Sequence, residues 1–266
     1  IEDITLLQDT GTRAAVDANI DRDPVAIALD KRIPNAGLVA SQVKYLQRAR
    51  RKLPSYYAAR CILPTLAFEQ SSSELAASKK NFSGELCIDL TCGLGVDSFT
   101  LSGKFDKVIS VERDSVTAET ARVNFARLGA SNITVCTATA EDFLEEFAAK
   151  GLKADLVYVD PDRRSQDGKK QVRLEDCSPN VLALLPLLKK TTRRIAIKAS
   201  PMFDVGEAFR LFGPHCRVDV ISIANECKEV VIELSEDINV PMIRATAVGK
   251  GAAEYPYIRP KVKSAS

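Results

Sequence analysis

The chain has 266 residues, 45% of them hydrophobic and 27% charged, with a formal net charge of +2 and a single histidine. That length holds one large α/β domain plus a further module, and the composition is ordinary for a soluble globular protein. No apolar run approaches the ~20 residues of a membrane helix and no secretory leader opens the sequence, which begins at Ile1, as expected of an excised or processed piece.

Seven cysteines occur, an odd number with no C-x-x-C pair, which argues against a zinc site or a disulfide framework and for a reducing, cytoplasmic setting. No metal site is expected. The lone His215 follows Gly213-Pro214 and reads as a turn residue, so Ser-His-Asp chemistry has little support.

Residues 1–80 read as an N-terminal helical module. Val39, Val43, Leu46 and Ala49 recur close to helical spacing, and Pro54 is expected to stop that helix. From Leu38 to Phe68 there is no acid, while Lys44, Arg48, Arg50, Arg51, Lys52 and Arg60 supply six positive charges beside Tyr56 and Tyr57. Such a block marks either a surface for phosphates, with Arg48 and Arg51 as candidate contacts, or a solvated helix face. "SSSE" at 71–74 fits a capping box with Ser71 as N-cap and Glu74 at N3.

The pattern then changes. "ELCIDL" (85–90), "KVISVE" (107–112), "NITVC" (132–136), "ADLVYVD" (154–160) and "RIAIKA" (194–199) are short apolar runs separated by helical stretches near 96–103, 115–128, 140–150, 179–190 and 204–212. This alternation predicts a parallel sheet covered on both faces. "RVDVISIAN" (217–225) runs directly into "ECKEVVIELS" (226–235), so the sheet is expected to end in an antiparallel hairpin with Asn225-Glu226 at its tip. Residues 81–235 thus form an α/β domain, and 236–266 read as a linker or the start of another module.

"CIDLTCGLGVDSF" (87–99) is a strand, a glycine turn and a helix. Gly93 and Gly95 permit a tight turn and close approach of a ligand. Ser98 stands where a dinucleotide fingerprint has its third glycine. Glu112 ends the next strand, placed to accept both hydroxyls of a ribose. An adenosine cofactor follows, and a nicotinamide fold would want the missing glycine and a continuing parallel sheet.

The fourth strand exits through "YVDPDRR" (158–164). The carboxyl ends of strands line the ligand edge of an open α/β sheet. Asp160, Pro161, Asp162 and Arg163 are therefore candidates for chemistry. Lys198, Ser200 and Met202 after the fifth strand, with Asn225 and Glu226 at the hairpin, stand behind them.

Asp89 precedes the glycines, and D-x-T-x-G-x-G resembles motif I of class I S-adenosylmethionine (SAM) methyltransferases. That family has a Rossmann-like seven-stranded sheet with an antiparallel last strand, and the resemblance covers about residues 70–235. "SSSELAA", "DLTCGLGVD", "DPDRR", "SPMFD" and "NECKE" together look like a bacterial branch with a C-terminal THUMP-like module, which would begin near residue 236. D-x-T-x-G-L-G-x-D also resembles bacterial ribosomal RNA guanine-N2 methyltransferases.

The resemblance implies SAM as cofactor and RNA as substrate. Asp89, Thr91, Gly93, Gly95 and Asp97 would serve the methionine end, Glu112 the ribose and Arg113 the adenine. Thr139, Asp142 or the backbone at Ala140 would reach the adenine rim, where many relatives carry Gly-Asp. Asp160-Pro161 keeps half of the (D/N)-P-P-(Y/F/W) device that aims an exocyclic amine at the methyl group, with guanine N2 favoured. Asp162 and Arg163 replace the second proline and the aromatic. Arg163 would stack on a base or bind a phosphate, and Asp162 would accept from a guanine edge. The rival readings are an NAD(P)-dependent oxidoreductase and a non-catalytic RNA-binding module of the same fold.

Overall fold

The structure, a computed structural model, describes residues 2–162 and 174–258. Arg163 lies outside the described residues. In chain order the elements are α1 (Glu2–Gln8), α2 (Thr10–Ala18), α3 (Pro24–Ala28), α4 (Ala36–Lys52), α5 (Pro54–Ala58), α6 (Thr65–Gln70), α7 (Glu74–Ala77), β1 (Gly84–Asp89), α8 (Val96–Ser102), β2 (Phe105–Glu112), α9 (Ser115–Leu128), β3 (Ile133–Thr137), α10 (Ala140–Ala149), β4 (Leu156–Val159), α11 (Val181–Thr191), β5 (Arg194–Ala199), α12 (Val205–Phe212), β6 (Cys216–Ile223), β7 (Glu226–Ser235), β8 (Met242–Ala247) and β9 (Gly251–Pro256). No helix among the described residues is long and apolar enough to cross a membrane.

The chain divides into two compact units, one of residues 1–78 and 92–140, the other of residues 79–91 and 141–266. In the first, α4 buries Val39, Val43, Leu46 and Ala49, the stripe the sequence marked. Each buried Val or Leu contributes about 1.5–3 kcal/mol relative to leaving it in water. The same core takes in Leu94 and Val96 from the glycine turn and α8. α9 is joined to the N-terminal helices by the buried Asn124, whose Oδ1 accepts from the Ile62 N–H (2.7 Å) while its Nδ2 donates to the Ile62 carbonyl (2.9 Å). The helices read as a separate module thus share a core with the glycine turn.

One local expectation is met and extended here, and one is corrected. Pro54 does not merely stop α4; it is the first residue of α5, where its missing N–H costs nothing. The N-cap of α7 is Ser73, not Ser71, and its hydroxyl accepts from the Ala76 N–H at 3.1 Å. Glu74 is drawn away from the box by α5, whose N-terminus has no side-chain cap of its own. Its carboxylate accepts from the N–H of Ser55 (2.9 Å), the Ser55 hydroxyl (2.8 Å) and the N–H of Tyr56 (3.3 Å). A carboxylate at a helix start meets both orphan donors and the positive end of the dipole.

In the second unit β1, β4 and β5 run parallel, β7 pairs antiparallel with β5, and β6 returns beside β7 as the expected hairpin. Its turn residues Ala224 (φ 50°) and Asn225 (φ 66°) are both left-handed, as a two-residue type I′ turn requires. β8 then adds parallel to β6, and β9 antiparallel to β8. Among the described residues there are therefore nine strands where seven were expected, β3 beside β2 in the first unit and β1-β4-β5-β7-β6-β8-β9 in the second. Residues 236–258 supply the additional two. β8 is half-buried at every position and β9 exposed at every position, so neither carries the in–out alternation that marks a strand in sequence.

β6, β7, β8 and β9 carry a charged row on one face. Glu233 pairs with Arg194 (3.1 Å) and with Arg217, and Asp219 lies 3.7 Å from Arg244. Burial pushes the Asp219 carboxyl up to about 6, against the pull of Arg244 and Arg217. Because this folded-state value lies above the ordinary 3.8, proton uptake favours folding. The stabilisation is fully present below about pH 4 and is lost as pH rises through about 6. Wild type should therefore gain about 1 kcal/mol from this group between about pH 7.5 and about pH 5. Asp219→Asn should lack that gain, as read from urea unfolding midpoints at the two pH values.

Candidate active site

In the first unit the glycine turn is built from the backbone outward. Gly93 and Gly95 both adopt positive φ (54° and 86°). A Cβ on Gly95 would stand 2.5 Å from the Phe125 ring, whereas one on Gly93 would meet nothing within 4 Å. Gly95 is thus demanded by packing against α9, and Gly93 is the position with open room beside it. Glu112, half-buried at the end of β2, accepts the Gly93 N–H on Oε2 (2.9 Å) and the Asp114 N–H on Oε1 (2.9 Å). The expected ribose acid therefore also fixes the turn.

Asp97, in the first turn of α8, is buried and accepts from the Ser72 hydroxyl at 3.2 Å. The Tyr56 hydroxyl donates to the Leu94 carbonyl at 3.3 Å. These two supports come from the N-terminal helices, and no motif in the sequence pointed to them. Arg113 is exposed just past β2, Thr139 is half-buried, and Ala140 is the buried first residue of α10.

In the second unit Asp89 is fully buried at the end of β1. Its Oδ1 accepts from the Thr91 N–H (3.0 Å) and hydroxyl (3.4 Å). The Thr91 oxygen in turn accepts the backbone N–H of Asp160 at 2.6 Å. One hydroxyl thus joins the ends of β1 and β4. The Asp160 carboxylate accepts from the Lys198 ammonium at 2.5 Å, with the lysine side chain 5% exposed and the aspartate 23% exposed. Lys198, expected beside the substrate, lies against Asp160.

Pro161 is buried and Asp162 exposed, and Asp162 exchanges backbone hydrogen bonds with Ser178 (2.7 and 3.0 Å). Under the same strands Lys80 and Glu229 form a buried ion pair at 2.6 Å, with the lysine 5.6 Å from the centre of the Tyr158 ring.

The remaining candidates have local partners of their own or none described with this group. Asn225 accepts from Lys250 on the β8–β9 turn (2.7 Å), and Glu226 pairs with Lys228 (2.6 Å). Met202 is 81% exposed, which excludes a core position for it. Asp142 is exposed on the first turn of α10. Half of the basic block is compensated by acids from outside it, Arg48 by Glu69, Arg50 by Asp21 (2.5 Å) and Arg60 by Asp17 (2.7 Å), while Arg51 is exposed.

A solved protein from Porphyromonas gingivalis W83, named as a methyltransferase, superposes on this chain with a TM-score of 0.77 at 26% identity, covering 96% of this chain and 67% of that one. The chain has the class I SAM-dependent methyltransferase fold. The family described as "Conserved hypothetical protein 95" matches residues 69–178. An "uncharacterized RNA methyltransferase" of Enterococcus faecalis (strain ATCC 700802 / V583) is 26% identical over 139 residues, 52% of this chain and 30% of the relative. A tRNA/tmRNA (uracil-C(5))-methyltransferase of Saccharophagus degradans is 30% identical over 123 residues, 39% of this chain and 33% of the relative. The chain thus spans about a third of these curated relatives.

The bridging role of Thr91 has a direct consequence. Thr91→Val removes the acceptor of the Asp160 N–H and the donor to Asp89, and should lower unfolding free energy by about 1–3 kcal/mol. Thr91→Ser should restore most of it. Equal urea midpoints for Thr91→Val and wild type would refute the link.

Proposed function

We propose that the chain is a SAM-dependent methyltransferase that acts on RNA, at an exocyclic amine of a nucleobase, guanine N2 being favoured. The observation that carries this reading is the seat of Asp160 at the exit of β4, its backbone tied to Thr91 and its carboxylate to Lys198. The residues present suit SAM. Gly93 leaves space beside the turn, and the Glu112 carboxylate keeps lone pairs for ribose hydroxyls beyond the two N–H groups it already accepts. Asp89, Thr91, Gly93, Gly95 and Asp97 would shape the methionine end, and Arg113, Thr139, Ala140 and Asp142 the adenine rim.

SAM supplies an electrophilic methyl group on a sulfonium and leaves as S-adenosylhomocysteine (SAH). The chain's own part is orientation. Lys198 holds Asp160 Oδ2, which directs Oδ1 to one amine hydrogen, and the Pro161 carbonyl would accept the other. A nucleobase amine has its lone pair drawn into the ring, and two acceptors turn that lone pair toward the methyl carbon. The nitrogen would take the methyl group that bound SAM supplies, the C–S electron pair leaving with SAH. The proton released by nitrogen passes to the Asp160 carboxylate.

RNA as substrate is supported by the curated relatives, whose names specify RNA or tRNA. Arg48, Arg51, Asn225 and Glu226, with Asp162 and Arg163, would contact it. A THUMP-like module in the full protein would add to that surface. The fold match favours SAM over a nicotinamide cofactor.

Glu112→Ala should weaken SAH binding strongly in calorimetry, since each lost charged hydrogen bond is worth about 1.5–3 kcal/mol. Unchanged SAH affinity in the folded variant removes the ribose assignment. In a methyl-transfer assay on RNA from a strain lacking the enzyme, Asp160→Ala should keep SAH affinity and lose turnover by roughly two orders of magnitude. Equal rates would exclude Asp160 from the chemistry. A product methylated on carbon or ribose would refute the amine step, and no transfer with intact SAH and RNA binding would favour the non-catalytic reading.

A further inference from the structure

α2 and α9 bound an open cleft of about 370 Å³, lined on one side by Arg13 and on the other by Glu119, Arg122 and Arg127. A smaller cavity shares Arg13 and Arg127 with it and adds Asp17 and Arg60. Four arginines and two acids therefore meet in one place. Both acids are engaged: Asp17 with Arg60 at 2.7 Å and Glu119 with Arg122 at 3.2 Å.

That leaves two guanidinium groups without a carboxylate. Arg127 donates from Nη1 to the Arg60 carbonyl (2.5 Å) and from Nη2 to the Leu7 carbonyl (3.2 Å), both neutral partners. The Arg13 side chain is exposed and has no hydrogen bond or ion pair among the described residues. Burial and the neighbouring Arg13 charge both push the Arg127 guanidinium below its ordinary value. Two like charges held together at a cleft mouth, one of them partly desolvated, cost free energy that a bound anion would offset. The planar guanidinium fork matches a phosphate in two-point contact.

We propose that Arg13 and Arg127 form a phosphate subsite that takes a backbone phosphate of the RNA substrate. The choice of a phosphodiester rests on the RNA reading above. The cleft is open, so a chain would pass through it, and the carbonyl partners hold Arg127 in place before the ligand arrives. The two arginines of the subsite lie outside the basic block of residues 38–68, whose Arg48, Arg50 and Arg60 each already have an acid. Arg13 and Arg127 lie 114 positions apart in sequence, which is why no charge run announced them.

The test uses the whole chain as wild type, Arg13→Gln and Arg13→Lys, because Arg13 is exposed and its loss leaves the core intact. In the first arm, a single-stranded RNA is titrated at several salt concentrations. Arg13→Gln should bind several-fold more weakly, with a salt slope reduced by about 0.7, while Arg13→Lys keeps the wild-type slope with its charge and binds between the two. SAH affinity, measured alongside, should be the same in all three. In the second arm, inorganic phosphate is titrated by thermal shift; it should raise the melting temperature of wild type and not that of Arg13→Gln. RNA binding with an unaltered slope in Arg13→Gln overturns the subsite. Absence of RNA binding by wild type defeats the RNA reading instead, and the phosphate arm then decides: an Arg13-dependent shift keeps a phosphate subsite, and no shift in wild type removes it.

Discussion

The Thr91 hydroxyl is the smallest part of the second unit on which most of the others depend. It stands between a fully buried carboxylate, Asp89, and the backbone N–H of Asp160. A buried carboxylate without donors would be costly, and so would an unpaired N–H at a strand end. One oxygen that donates in one direction and accepts in the other meets both needs. The D-x-T spacing then follows from geometry, because a residue two positions after the aspartate is the one whose N–H and hydroxyl both reach back to it. Valine would fill the same volume and satisfy neither group.

The first unit applies the same economy to the glycine turn. Glu112 is an acid of β2 that holds Gly93 and Asp114 by their N–H groups. The Tyr56 hydroxyl and Ser72 bring the N-terminal helices to bear on Leu94 and Asp97. Asn124 locks α9 to the backbone at Ile62 with a donor and an acceptor. The helices expected as an N-terminal module also wall the glycine turn. Their sequence is helical and basic because their exposed face is, while their buried face carries Val39, Val43, Leu46 and Tyr56.

Much of this was legible in the chain itself. Five parallel-type strands and the terminal hairpin lie within a few residues of their expected bounds, because each is a short apolar run closed by turn residues. What was hidden was hidden for identifiable reasons. The tail after Ser235 held two strand-like bits, but β8 is half-buried and β9 exposed at every position, so no alternation tied them to the sheet. Ser71 lost the capping position to Ser73 because Glu74 was drawn to a different helix, a tertiary competition that a local motif cannot display. The acid-free block looked uncompensated, yet Asp17, Asp21 and Glu69 come to it from outside the window. The pairing of Lys198 with Asp160 joins the ends of two adjacent strands 38 residues apart, and only the parallel register of β4 and β5 reveals it.

That pairing bears on what the Asp-Pro exit can do. The Lys198 ammonium, itself 5% exposed, fixes one carboxylate oxygen of Asp160, so the other is left with a defined direction. The lysine side chain is the more buried of the two, so removing the carboxylate takes a charged partner away from a buried ammonium. An asparagine at position 160 would still offer an oxygen, yet it would take that charged partner from the ammonium. The fold therefore couples the identity of residue 160 to that of residue 198, and the charged exit at Asp160-Pro161 is matched by a charged support beneath it where an aromatic device would need none.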